Sequence, residues 1–362
     1  MKRRTFLQSA AASALTAFAP LVRAQSVFEP RPGDWRAYEV ITRVELKGGP
    51  ARAWIPLPSI YDPDWIRPGA NEWIGNARTV RVGGDAAGDA QMVVAEWDAG
   101  SAPAVVQVTS RVATRDRAVA LDKPVGAPPL DGWMRRAYLA PTELMPTDGL
   151  VRKTALEITR NSRTDVDKAR AIYEWVVDNT FREPTTRGCG VGDIKAMLET
   201  GNLSGKCADL NALYVGLARA AGLPARDVYG LRVAPSRFGY RSLGVGTANV
   251  TRAQHCRAEV WLEGFGWVPV DPADVRKVVL EEPPGKLAMN DPKVTAARKT
   301  LFGAWEMNWI AYNFSHDVRL PGSKGAPIGF LMYPQAETAA ERLDSLDPDS
   351  FKYSITAQTA TG

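Results

Sequence analysis

The chain has 362 residues, 45% hydrophobic and 23% charged, with 45 basic and 40 acidic side chains and a net charge of +5. That composition excludes a disordered, collagenous or membrane-spanning protein and leaves room for a large core, about two packed units at ordinary domain sizes. Residues 1–24 carry Lys2, Arg3, Arg4 and Arg23 and no acid, so the rest of the chain is nearly neutral at +1. No basic surface for nucleic acid is predicted from it.

In chain order, the first segment reads as a targeting signal. Arg3-Arg4 with Phe6-Leu7 resembles the signal of the twin-arginine export route; an Ala-rich stretch from Ser9 to Ala19 and the small residues of Val22-Arg23-Ala24 follow. The apolar run is too short for a stable membrane span. The expected mature chain therefore begins near Gln25, has no transmembrane span, and is periplasmic or secreted. Three cysteines in an exported chain do not make a disulfide framework, because an odd count leaves at least one thiol unpaired.

From Asp34 the pattern is that of strands. Trp35 to Leu46, Ala51 to Pro58, Val80 to Gly84, Gln91 to Trp97 and Ala104 to Thr114 are short β-rich runs between Gly, Asp and Pro clusters. They predict an antiparallel sheet or sandwich over residues 25–123. This unit holds no histidine or cysteine, and it reads as a scaffold or a substrate-side wall. The Pro/Gly/Ala stretch from Pro124 to Pro129 marks a boundary, with a second unit over 130–362.

Beyond it, Leu150 to Asn161 and Asp165 to Asn179 have helical spacing, the latter capped by Thr164, with Tyr173 and Trp175 assigned to the core. The Gly-rich loop Arg187 to Gly192 leads into a short helix at Asp193 to Thr200. The next helix carries apolar residues at Leu210, Leu213, Tyr214, Leu217, Ala218 and Ala221 and stops at Gly222 and Pro224. Its first turn is predicted at Ser204 to Cys207, with Ser204 as N-cap. Unpaired backbone N–H groups and the positive end of the helix dipole would then favour a Cys207 thiolate.

Gln254 to Leu262 and Trp267 to Pro272, around the turn Glu263-Gly264-Phe265-Gly266, predict a β-hairpin. Period two places Cys256, Ala258, Val260 and Leu262 on a core face, with His255, Arg257, Glu259 and Trp261 on the other. His255 is one of two histidines, and the other, His316, has no comparable context. Cys207 as nucleophile, His255 as acid–base and Asp271 as the group fixing the imidazole make a chemically complete set. His255 and Asp271 share a face only if paired residue numbers sum to an even value, so a three- or five-residue loop, or a bulge, is predicted around 261–266. Thr300 to Phe314 reads as an aromatic cover for the core, and Gly329 to Tyr333 and Phe351 to Ile355 read as closing strands. The spacing of Cys189, Cys207, Cys256 and His255 supports no metal motif, and no cofactor is predicted.

These segments resemble the transglutaminase-like superfamily. Gly205-Lys-Cys207 and Gly222-Leu-Pro-Ala-Arg226 are similar to its G-x-C and G-[IL]-P-A-R patterns. His255-Cys-Arg-Ala-Glu-Val260 and Gly266-Trp-Val-Pro-Val-Asp-Pro272 are similar to its H-x-W-x-E-V and G-W-x-x-x-D-P segments. The resemblance covers about 165–275 and implies an α+β fold. In it a papain-like transglutaminase core, with its nucleophile helix packed on an antiparallel sheet, follows the N-terminal β-sandwich-like domain. It also implies a thiol enzyme acting on a peptide or protein amide through a Cys207 thioester, with acyl transfer to an amine or water. The family includes cross-linkers, peptidases, amidases and inactive relatives, so the alternative is a peptide-binding module that keeps the fold without turnover. Arg257 departs from the family's Trp and is expected to bear on the groove beside His255. The backbone N–H of Cys207 is the natural first oxyanion donor, with Asn202 or the Gly188–Gly192 loop as candidates for the second. Any disulfide is expected to join Cys189 to Cys256.

Overall fold

Burial alternates along Arg36–Leu46 and Ala104–Thr114, the mark of strands with one face on a core. A computed structural model of the chain describes residues 27–85, 90–100 and 103–360, so the predicted signal at 1–24 lies outside the described residues. The two strands pair antiparallel at the centre of a four-stranded sheet, ordered Lys352–Thr359, Arg36–Leu46, Ala104–Thr114, Ile66–Gly75. A second sheet is ordered Gln335–Thr338, Ala51–Pro56, Gln91–Trp97, Thr79–Gly84. Val44, Ile55, Leu57, Val93, Val106 and Phe351 fill the space between them, so the unit is a sandwich. Each sheet takes one edge strand from the C-terminal end of the chain. The stretch 124–129 precedes the first helix, but the last strands of the chain return to the first unit.

The second unit is built on a sheet ordered Gly266–Val270, Gln254–Leu262, Ala225–Arg232, Trp309–Asn313. Helices Gly149–Thr159, Asp165–Asn179 and Cys207–Ala220 cover one face through Ile172, Val176, Leu213, Tyr214, Leu217, Val260 and their neighbours. Thr164 caps the second of these as its sequence predicts, accepting from Asp167 N–H while Asp167 accepts from Thr164 N–H at 3.0 Å. The other face packs on the sandwich through Val228, Leu231, Trp309 and Ala311 against Tyr38, Val112 and Ile355. The segment 300–314 is core, as its aromatic content predicts.

Every residue from Cys207 to Arg219 is buried. Leu213, Tyr214 and Leu217 are wholly inaccessible, each worth about 1.5–3 kcal/mol of burial. The helix begins at Cys207 with Lys206 as its N-cap, two residues later than the N-cap at Ser204 implied. Ser204 and Gly205 instead pair in parallel with Phe181 and Arg182 as a short strand, which holds them extended. Gly222 closes the helix at φ +88°, the left-handed position that favours glycine. No helix of the described residues is long and apolar enough to cross a membrane.

Candidate active site

Cys207 is the first residue of its helix, so its N–H has no acceptor within the helix. Asp209 fixes this helix start. It accepts from the N–H groups of Val191, Gly192 and Lys206, each at 2.9 Å, tying the Gly-rich loop to the Cys207 turn. A Cβ at Gly190 or Gly205 would overlap the Asp209 carboxylate, which explains both glycines. Through this clamp the loop delivers Cys189, whose carbonyl accepts from Ala208 N–H at 2.9 Å.

The hairpin closes with Leu262 opposite Gly266, leaving the three-residue loop Glu263-Gly264-Phe265, with Gly264 and Gly266 both near φ +79°. The register satisfies the parity condition. Continued by one step, it sets Asp271 opposite Arg257 and diagonal to His255. The Nε2 of His255 lies 2.8 Å from Asp271 Oδ2 and 3.4 Å from Asp274 Oδ1. Asp271 also caps the helix Pro272–Glu281, its Oδ1 accepting from Asp274 N–H at 3.0 Å. The Asp-Pro pair therefore has a local cause: Asp is a preferred N-cap, and Pro at the first helical position starts the helix. Asn211, one turn along from Cys207, donates through Nδ2 to Cys256 O at 2.8 Å and Asp271 Oδ1 at 3.3 Å.

Cys207 packs in one buried cluster with Cys189 and Cys256. Hydrogen bonds from Cys189 and Cys256, with that of His255 and its charge, hold Cys207 well below the usual thiol range in spite of burial. Cys189 and Cys256 are pushed the other way, the first mainly by its bond to Cys207, the second mainly by burial. The Cys189 S–H donates to the Gln254 carbonyl at 3.3 Å. All three cysteines are free, so the expected Cys189–Cys256 pairing is not formed. Burial and Arg232 push His255 down, but Asp274 and Asp271 outweigh them and raise its pKa. The structure thus brings Cys207, His255 and Asp271 together with imidazolium and thiolate both favoured.

Arg257 is not in the groove. It is buried behind the site, its Nε 3.6 Å from Asp271 Oδ2 and its guanidinium 5.3 and 4.7 Å from the rings of Trp305 and Trp309. Both faces of the hairpin strand are covered, so the polar face His255, Arg257, Glu259 meets protein rather than solvent. Glu259 there takes Arg117 and, at 2.7 Å, Arg226. Asn202 is exposed and bonded to Ser204, and it does not line the cleft above Cys207. Gln254 does line it, is buried, and carries an Nε2 without a hydrogen-bond partner among the described residues. Its position next to His255 in the strand was the only sequence signal for it.

His255, Asp271 and Asp274 are close enough to share a cation. Their ligand atoms are committed otherwise: Asp274 Oδ1 pairs with Arg232 at 2.5 Å, and Asp271 Oδ2 with His255. The second histidine, His316, sits at another place, against Tyr229 Oη at 3.2 Å and Asp227 Oδ2 at 3.3 Å.

A family model described as the transglutaminase-like superfamily matches residues 152–272. An uncharacterized protein of Haemophilus influenzae is 35% identical over 362 residues, covering 95% of this chain and 97% of its own. Among solved structures, that of a candidate cysteine protease from Cytophaga hutchinsonii aligns with a TM-score of 0.51 at 14% identity, over 90% of this chain and 99% of that one. The periplasmic domain of TgpA from Pseudomonas aeruginosa aligns with a TM-score of 0.33 at 16% identity, over 67% and 88%. Fold and motif order agree with that match: through residues 152–272 the chain belongs to the transglutaminase-like superfamily.

Proposed function

We propose that the protein is an exported thiol enzyme that acts on amide bonds through a thioester at Cys207, with His255 and Asp271 completing the triad. The observation that carries this reading is the 2.8 Å bond from His255 Nε2 to Asp271, with His255 among the groups that hold Cys207 below the usual thiol range. With Nε2 held by the carboxylate, Nδ1 is the nitrogen left for sulfur.

The thiolate attacks the amide carbonyl and forms the S–C bond. Imidazolium gives its proton to the departing amine as the C–N bond breaks, leaving a thioester and neutral His255. Water or a second amine then attacks the thioester, His255 takes its proton, and the Cys207 thiolate leaves. Two donors serve the oxyanion: the free N–H of Cys207, and the unpartnered Nε2 of Gln254. Export rests on the twin-arginine-type segment at 1–24.

Intact-mass spectrometry after incubation with an activated acyl ester tests the reading. The parent should gain one acyl group and lose it to water or added amine. Cys207→Ala should gain none, and His255→Ala should acylate at least about 100-fold more slowly. An unmodified parent would favour a peptide-binding module on the same fold.

A further inference from the structure

Above Cys207 and His255 lies a cleft of about 1130 Å³. Its lining includes Arg182, Arg187, Lys206, Arg232, Arg252 and Lys277, and no carboxylate among the described residues. The chain beyond residue 24 is balanced to within one charge, so this is a local concentration rather than a generally basic protein. The charge is only partly answered from behind. Arg232 has Asp274, Arg187 has Asp344, and Arg182 shares Glu281 with Lys277. Lys206 and Arg252 make no ion pair with any described residue.

Those two unpaired cations flank the chemistry, Lys206 directly before Cys207 and Arg252 three residues before His255. Deeper in, burial and the like charges of Arg232 and Arg182 push Lys277 down to about 8, against the opposing pull of Asp274 and Glu281. A cleft with low-dielectric walls concentrates such a field on whatever enters it. The walls also carry the rings of Tyr333 and Tyr353.

We propose that the cleft takes a polyanionic acyl donor, a peptide carrying carboxylates within a few residues of the amide presented to Cys207. The proposal deepens the thiol-enzyme reading and rests on it for the site of chemistry. Two sources share the chemistry, an acidic segment of an ordinary L-peptide and a cell-wall stem peptide containing D-glutamate and diaminopimelate.

Binding to the Cys207→Ala protein tests the proposal without turnover. Calorimetry compares three probes: an L-peptide with glutamates on both sides of a central Gln, the same peptide with those glutamates replaced by Gln, and the stem tripeptide L-Ala-γ-D-Glu-diaminopimelate. At least one acidic probe should bind about 10-fold or more tighter than the neutral peptide, and raising salt should erode that margin. Which acidic probe binds names the source. Adding Lys206→Gln and Arg252→Gln together should weaken it about 10-fold. Neither has an ion pair to lose, so an unchanged melting temperature checks the fold. Acidic probes that bind no tighter than the neutral one, or not at all, overturn the proposal, as does affinity insensitive to salt and to both substitutions. Failure of the thiol reading shows separately, as absence of acylation at Cys207.

Discussion

Arg257→Met is the sharpest test of how the site is supported. The change removes a cation 3.6 Å from Asp271 Oδ2 and keeps an apolar stem between Trp305 and Trp309. At an effective dielectric of about 20, a charge pair at that distance is worth roughly 4–5 kcal/mol. Part is returned, because burial already pushes Arg257 down to about 10 and its own desolvation is relieved. A net loss of about 2–4 kcal/mol remains at neutral pH. The sign with pH follows from Asp271, whose carboxyl is raised by burial and by Asp274 and pulled back by His255 and Arg257. A carboxyl raised in the folded state costs stability when ionised. That cost is absent below its unfolded pKa and complete above its folded one. Removing Arg257 raises it further, so the variant's deficit should be largest at neutral pH and shrink as pH falls toward the carboxylate range. Urea unfolding followed by tryptophan fluorescence between pH 8 and pH 5 measures this, with Asp271→Asn closing a double-mutant cycle. A deficit that does not vary with pH, or a coupling energy below about 0.5 kcal/mol, would refute the pairing.

Other outcomes follow from the same contacts. Asp209→Ala strands three backbone donors and should cost about 2–4 kcal/mol in urea unfolding, with Asp209→Asn milder because one acceptor oxygen remains. Gly230 pairs with His255 across the strands, and a Cβ there would collide with the Ile310 carbonyl and the Trp309 indole. Gly230→Ala should therefore lower stability by about 2 kcal/mol or more and displace the indole that donates to His255 O. Cys207 is lowered and His255 raised, which favours a thiolate–imidazolium pair below the ordinary thiol range. Iodoacetamide should then alkylate Cys207 at pH 6 at a rate that a free thiol, with its pKa of about 8.5, reaches only near that value. Cys189→Ala should move the acid limb up in pH and Cys189→Ser should restore part of it; identical limbs in all three proteins would remove the thiol-donor role.

Local signals carried much of this structure, and contacts across the chain carried the rest. The Cys207 helix, the Thr164 cap and the hairpin parity were legible because each depends on residues within a few positions of one another. The start of the Cys207 helix was not. Ser204 is a good N-cap by type, but a parallel pairing with residues 181–182 holds it extended, and a partner more than twenty residues away leaves no mark in the local pattern. Arg257 was misread for a related reason. Period two correctly assigns it to the face opposite the core helices, but only the sandwich packed on that face makes it interior. The return of the chain's last strands to the first unit was likewise invisible to a reading in chain order. Asp274, Arg232 and Asp209 were missed because a lone charged residue reads as solvated until its partner is known.

Charged groups lie directly behind Cys207, His255 and Asp271. Asp271 and Asp274 carry two negative charges in a buried setting, and Arg232 and Arg257 supply two positive ones. The Cys207–His255 pair thus sits against a neutral background. Moving the proton from sulfur to imidazole changes no net charge, so the burial that would forbid a lone thiolate here penalises the exchange far less. What then decides the position of the proton is the local surroundings: the thiols of Cys189 and Cys256 packed on one side, the Asp271 carboxylate bonded on the other. A substrate that brings its own carboxylates meets the cations of the cleft rather than this balanced interior. On the proposed reading, holding an anionic chain and keeping Cys207 ionised fall to separate groups, with Arg232 at their boundary as both cleft lining and partner of Asp274.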